Sequence, residues 1–368
     1  MRPVRTQWAR WAIVAPLSVV LGVALSALHV PAAWILAAII AAAGSAILHG
    51  EELTVDPRLI TVAKSFIAII AALPLVRTPA GELLRYVAPG LLSAGFTVVL
   101  AFGGGWLLWR GSLRQARRAG ADPRDPAHVV SPETGVLSLF AGGASVMPLL
   151  AKDLGADFRY VTLTQYLRLL SVSIIMPLVV AWAHLSGSSS PSEPEAQPFT
   201  WLSALAILVI VVFGGKLGRL LHLPAASVLG PMLLTIIVAL LLDPWHSLAL
   251  PEAARDIAYV SIGWMAGGGL SVAALRSFSH QLPLTLGLIA VLIGGCAGLA
   301  WVIAQWMGMD YIDAFLATNP GGLETALALG SETGAVEIVA AMQIVRLITV
   351  LFLAGWLPWV LRWLQRVL

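Results

Sequence analysis

The chain has 368 residues, 59% of them hydrophobic and only 11% charged, with a mean hydropathy of +0.89. A soluble domain covers its surface with about 25% charged residues, so the composition excludes that class. The formal charge of +3 is small and scattered over Arg-rich loops and ends, which argues against a nucleic-acid surface, and the single Cys296 excludes an internal disulfide.

The apolar runs are about 17–25 residues long, enough to cross a hydrocarbon core of roughly 30 Å. Without water to satisfy the backbone, such runs must be helical. The first, 11–29, follows Arg2, Arg5 and Arg10 and has the outline of a signal peptide. It is expected to be retained, because the second half carries its counterpart. Further spans are predicted over 32–48, 59–76 and 87–109, followed by the basic loop Arg110–Val130. An interrupted segment at 134–152 contains Gly142-Gly143, and a fifth span covers 159–184. The polar stretch "SGSSSPSEPEAQP" reads as a linker. Beyond it the spans are 200–221, 224–242, 256–275, 282–306 and 336–361, with a second interrupted segment at 312–331. Trp residues such as Trp8, Trp106, Trp182, Trp201, Trp306 and Trp359 fall near the run ends, where an aromatic belt belongs.

The chain is written twice. "HVPAAWIL" at His29–Leu36 is echoed by "HLPAASVL" at His222–Leu229, and Gly142-Gly143 by Gly321-Gly322. Gly155-Ala156 recurs as Gly334-Ala335, and "QYLRLLSV" at Gln165–Val172 as "QIVRLITV" at Gln343–Val350. The domain boundaries that follow are a first membrane repeat at 1–186, an extracytoplasmic linker at 187–199 and a second repeat at 200–368.

Charge placement orients the spans. With the N-terminus inside, Arg110, Arg114, Arg117, Arg118 and Arg124 fall in the cytoplasm, as the rule requires. The linker has Glu193 and Glu195 and no Lys or Arg, so it belongs outside. That holds if each interrupted segment dips in and returns. The expected fold is therefore all-α and membrane-integral, with ten transmembrane helices in two inverted five-span repeats, each carrying a re-entrant element. Secondary transporters built this way bind solute where the broken helices meet.

Pro320 lacks an N–H, and Gly321 and Gly322 permit backbone angles closed to other residues. A helix restarting at Leu323 aims its N-terminus at the break and makes a site for anions; a kink or close helix crossing is the plainer reading. Gln165 with Arg168, and Gln343 with Arg346, lie three apart on one helix face deep in apolar runs. An intramembrane arginine needs a partner or a cavity. Solute contact, a clamp onto Glu324 or onto carbonyls at the break, and snorkelling all stay open. Glu324, whose counterpart is Ser145, is either a proton carrier or the partner of Arg346. Lys64 is expected to snorkel to the cytoplasmic face. The seven histidines show no metal-ligand spacing, so no cofactor and no metal are expected. "GGG" at Gly103–Gly105 and Gly267–Gly269 reads as helix packing.

"NPGGLETALALGSETGAVEIVAAMQIVRL", its weaker partner "AGGASVMPLLAKDLGADFRYVTLTQYLRL" and "LGPMLL" at Leu229–Leu234 resemble the AbrB-type duplicated membrane family over nearly the whole chain. The resemblance implies membership of the cation/proton antiporter and anion transporter superfamily, with discontinuous helices. It carries Pro320, Gly321, Gly322, Gln343 and Arg346 in the second half, and Gly142, Gly143, Gln165 and Arg168 in the first. Ala141 departs from the usual proline, Ser145 from a common acidic residue and Val336 from an aspartate. Older family labels, "ammonia monooxygenase" and "regulator of gene expression", find neither a copper-ligand cluster nor a DNA-binding module here.

The expected function is secondary transport of a small, anionic solute by alternating access in a bacterial-type inner membrane, with both termini cytoplasmic. The candidate solute contacts are Asn319, Pro320, Gly321, Gly322, Glu324, Thr325, Gln343, Arg346, Gly142, Gly143, Ser145, Gln165 and Arg168. The expected partners are the lipid bilayer, the solute and a coupling ion, proton or sodium, and pairing into a homodimer stays open. No enzymatic activity is expected. The alternatives are a membrane sensor that influences gene expression through a partner, contacted by the Arg110–Arg124 loop, and a membrane monooxygenase component.

Overall fold

The computed structural model describes residues 5–28, 30, 32–118, 120, 129–141, 146–185, 200–223, 225–241, 248, 250–269 and 282–367. Regular structure among them is entirely α-helical. The first half contributes α1 (Arg5–Ala27), α2 (Ala33–His49), α3 (Pro57–Arg77), α4 (Ala80–Arg85), α5 (Val87–Arg118), α6 (Pro132–Leu139), α7 (Val146–Asp153) and α8 (Phe158–Leu185). The second contributes α9 (Trp201–Leu220), α10 (Ala226–Leu241), α11 (Glu252–Gly268), α12 (Leu282–Met307), α13 (Tyr311–Thr318), α14 (Leu323–Thr333) and α15 (Val336–Val367).

Each of the ten expected spans coincides with one helix: α1, α2, α3, α5 and α8, then α9, α10, α11, α12 and α15. Among the described residues, seven helices are long and apolar enough to cross a membrane, and α2 and α10 are shorter apolar helices. The outward faces carry large apolar side chains such as Val23, Leu48, Leu240 and Trp301. This is an all-α membrane protein. The linker 187–199 lies outside the described residues, as do Gly142, Gly143, Ser145, Arg124 and Arg276.

The interrupted segments are pairs of short helices, α6 with α7 and α13 with α14. Several positions paired by the sequence echo share a local backbone conformation. Helices α6 and α13 are each 8 residues long and end on equivalent extended residues, Phe140 (φ −66°, ψ 113°) and Asn319 (φ −64°, ψ 133°). Gly155 and Gly334 both take the left-handed conformation (φ 69° and 80°) that turns the chain into α8 and α15. Ala32 and Ala225, equivalent residues of the His-x-Pro-Ala-Ala echo, are also left-handed (φ 55° and 47°), which is costly for a residue with a Cβ.

The second helix of each half packs on the third helix of the other, α2 on α11 and α10 on α3. Small residues make these crossings close, as in membrane bundles generally. A Cβ on Gly263 or Gly267 would meet the α2 backbone at Ile35 or Ile39, and one on Gly105 would meet the backbone of Gly135 and Val136 in α6. Both Gly-Gly-Gly runs therefore contribute to packing, through Gly104 and Gly105 in one and Gly267 and Gly268 in the other. The core runs through the middle of the molecule, where Leu137, Met147, Leu316, Leu329 and Met342 are fully buried around the two broken segments.

Candidate functional site: the paired helix breaks

A helix that stops inside a membrane leaves its last carbonyls without intrahelical donors and carries a partial negative charge there. Lipid cannot satisfy them. Helix α15 answers this for α13. Gln343 Nε2 donates to the carbonyls of Leu316 (3.0 Å) and Asn319 (3.2 Å). Arg346 Nη1 donates to the carbonyl of Thr318 (3.2 Å) and to that of Asn319, and its Nη2 donates to Gln343 Oε1 (2.6 Å).

Helix α8 does the same for α6. Gln165 Nε2 donates to the carbonyls of Leu137 (2.8 Å), Ser138 (3.2 Å) and Phe140 (3.1 Å), and Arg168 Nη1 donates to Phe140 (3.1 Å). The Gln-x-x-Arg pairs are thus side-chain caps on the two breaks, which explains why the motif needs two donors on one helix face. Neither arginine snorkels, since Arg168 is 3% and Arg346 6% exposed.

Of the partners left open for Arg346, the carbonyls at the break are the ones it takes, and the Glu324 and Lys64 readings need correction. Glu324 does not pair with Arg346: its carboxylate meets Lys64 Nζ at 2.8 Å, an ion pair between α3 and the first turn of α14. Lys64 accordingly turns into the protein instead of snorkelling to the surface. Arg346 has no need of the carboxylate, because three oxygen acceptors already surround its guanidinium. The sequence did hold a signal for the true pair, namely one lysine within the third apolar run and one carboxylate at the second break.

The break between α13 and α14 opens against α8. A Cβ on Gly321 would collide with Val172 Cγ1, so only glycine lets α8 approach this closely. Ser173 Oγ lies 3.5 Å from Thr325 Oγ1. Gln165, Arg168 and Val172, spaced by three and four, place the first-half cap on the face of α8 that meets the second-half break. Gly322 precedes α14 without a side-chain cap, and its carbonyl accepts the first helical bond, from Ala326 N–H. The positive end of α14 therefore faces the break. At the far end of α14, Tyr259 Oη meets Ser331 Oγ at 2.6 Å and donates to the Ala328 carbonyl at 3.3 Å. No sequence reading anticipated that anchor.

The two caps differ in one respect. In the second half Arg346 closes on its own glutamine. In the first, Gln165 Oε1 and Arg168 Nε are buried with no partner among the described residues, and at the second break the same holds for Nδ2 and Oδ1 of Asn319, which is fully buried. Lys64 is paired with Glu324, whereas Arg168 and Arg346 are two buried cations with no ion pair among the described residues. Of the sequence candidates, Asn319, Pro320, Gly321, Gly322, Glu324, Thr325, Gln343 and Arg346 lie at the second break, and Gln165 and Arg168 face it from the other half. Among the described residues, no three His, Cys, Asp or Glu side chains gather as a metal site.

Comparison with known proteins gives a consistent family picture. A family model described as transition state regulatory protein AbrB matches residues 126–365. The Escherichia coli (strain K12) protein named "Putative regulator AbrB" is 30% identical over 352 residues, covering 93% of this chain and 93% of that protein. The Bacillus subtilis (strain 168) protein named "Uncharacterized protein YhjN" is 24% identical over 281 residues, covering 70% of this chain and 66% of the relative.

Proposed function

Since this chain belongs to the AbrB family, whose duplicated motif caps both of its helix breaks, we propose that it is a secondary transporter of a small anionic solute. The solute binds where α13 and α14 part against α8 and crosses by alternating access. One observation carries the reading: α8, which caps the first interrupted helix with a buried arginine, packs directly on the second interrupted helix, which is capped by another. Capping uses only part of the first arginine, since Arg168 Nε is left without a partner among the described residues, and buried charges are costly to desolvate. Broken helices that face one another are the usual means by which inverted-repeat transporters build a solute site. The reading includes opposite membrane orientations for the halves, five spans in each, an inner-membrane location and cytoplasmic termini. It also includes kinship with the cation/proton antiporter and anion transporter superfamily, and it assigns no catalysis.

The Lys64–Glu324 pair has a defined place in such a cycle. It ties α3 of one half to α14 of the other across the site, so a movement of one half against the other must stretch or break it. An anion arriving at the α14 N-terminus competes with Glu324 for the same positive field. Proton or sodium coupling enters through this carboxylate when it is released from Lys64.

A second reading draws on the regulator name of the Escherichia coli relative and on the exposed Arg110, Arg114, Arg117 and Arg118 at the end of α5. In it the protein senses the same solute and passes the signal to an acidic partner at that helix end. Reconstitution separates the two. Proteoliposomes holding the full chain should take up a labelled carboxylate from a panel of lactate, succinate, malate and citrate, and charge reversal of the four arginines should leave uptake intact. Binding with no uptake in any member of the panel favours the sensor.

A further inference from the structure

The unpartnered polar atoms at the break describe a complementary ligand. Arg168 Nε and Asn319 Nδ2 are donors in search of acceptors, while Asn319 Oδ1 and Gln165 Oε1 are acceptors in search of donors. The assignment for Gln165 is fixed by its surroundings, because only an NH2 group can face the carbonyls of Leu137, Ser138 and Phe140 together. For Asn319 the orientation is immaterial, since neither end of the amide finds a partner. All three side chains are at least nine-tenths buried: Gln165 and Asn319 are 0% and Arg168 is 3% exposed. Buried polar atoms are ordinarily satisfied, yet four are left over here, two on the first-half cap and two on Asn319 at the second break.

A plain carboxylate would satisfy only the donors. The two acceptors require an O–H or N–H on the solute itself. An ammonium group would bring a positive charge toward Arg168 and Arg346, against the local excess of two cations, whereas a hydroxyl brings none. We propose that the transported or sensed solute is a hydroxycarboxylate. Its carboxylate lies between Arg168 Nε, Asn319 Nδ2 and the N-terminus of α14, and its hydroxyl donates to Asn319 Oδ1 or Gln165 Oε1. This inference rests on the reading of the break as an anion site and names the chemistry that the site selects.

The test is calorimetric titration of the full chain in lipid nanodiscs with matched pairs that differ by one hydroxyl: L-lactate and propionate, L-malate and succinate, citrate and tricarballylate. L-Alanine and inorganic phosphate serve as competitors. In whichever pair binds, the hydroxylated member is expected to bind at least about tenfold more tightly, because a site built around a hydroxyl rejects the analogue that lacks it. Asn319→Leu should weaken both members of a pair, because Nδ2 also meets the carboxylate, and should weaken the hydroxylated member more, bringing the ratio closer to one. Asn319→Ser, smaller and still polar, is the second variant, and the wild-type comparison decides the class whether or not either variant folds. Equal affinity within every pair overturns the hydroxycarboxylate assignment and leaves the anion site standing. Tighter binding of alanine, or of phosphate alone, replaces the assignment with a zwitterion or an inorganic anion. No binding by any compound removes the anion site along with the inference.

Discussion

The two arginines occupy equivalent positions yet should fail differently when removed. Arg346 donates to the carbonyls of Thr318 and Asn319 and to Gln343 Oε1. Hydrogen bonds from a charged donor contribute about 1.5–3 kcal/mol each, so three approach ~5–9 kcal/mol gross. Two effects offset that sum in Arg346→Ala: the guanidinium no longer has to be desolvated, which recovers several kcal/mol, and Asn319 keeps its bond from Gln343 Nε2. The net loss should be about 3–5 kcal/mol, the usual range for removing one partner of a buried charged contact. Arg168 gives one bond, to Phe140, whose carbonyl retains Gln165 Nε2 at 3.1 Å. Arg168→Ala should therefore cost only about 1–2 kcal/mol while removing the free Nε that faces the solute. Reversible denaturant unfolding in mixed micelles, followed by the fluorescence of the 14 tryptophans, measures both losses, and titration with the tightest-binding carboxylate measures affinity. The expected pattern is a large stability loss for Arg346→Ala, and for Arg168→Ala a small stability loss with at least about tenfold weaker binding. Equal stability losses, or an Arg168→Ala variant that binds normally, would refute the asymmetry drawn from the two caps.

Lys64 and Glu324 should behave as a coupled pair. Lys64→Met or Glu324→Gln alone leaves one charge uncompensated and should cost about 2–4 kcal/mol, while the double variant should cost less than the sum; additive losses in the unfolding cycle would contradict the contact. The exchange of Lys64→Glu with Glu324→Lys should restore stability better than uptake, because it places a cation on the first turn of α14. Gly321→Ala should reduce uptake by driving Val172 away from the break, and Val172→Ala in the same chain should recover it; a Gly321→Ala chain with unchanged uptake would show that α8 need not approach so closely. Ala32→Gly and Ala225→Gly should each raise stability by about 1 kcal/mol, since both alanines are left-handed; a fall in the unfolding midpoint would mean that their methyl groups matter more for packing than the backbone does.

Much of the architecture is legible in the sequence, for identifiable reasons. Hydrophobic runs of membrane length can only be helices, and Pro320-Gly321-Gly322 can only interrupt one, so the restart at Leu323 was visible. The offset between Gln165–Arg168 and Gln343–Arg346 likewise revealed two copies of one device. What that device does was less visible: spacing puts glutamine and arginine on one face but does not say whether the face meets solute, carboxylate or carbonyl. The Lys64–Glu324 pair escaped because its partners lie in opposite halves, and α3 reaches α14 only through the exchange of helices between repeats. The orphaned Asn319 amide was out of reach for the opposite reason. A missing partner can be recognised only once every neighbouring group is in place.

The central claim is that an anion crosses the membrane between the paired breaks. Uptake of labelled L-malate, L-lactate and citrate into proteoliposomes, with wild-type and Asn319→Leu chains compared against protein-free vesicles, tests it most directly. Saturable uptake that requires the wild-type chain and falls at least about tenfold in Asn319→Leu is the predicted result. Uptake no greater than in protein-free vesicles for all three compounds, from a chain that binds at least one of them in nanodiscs, would contradict transport.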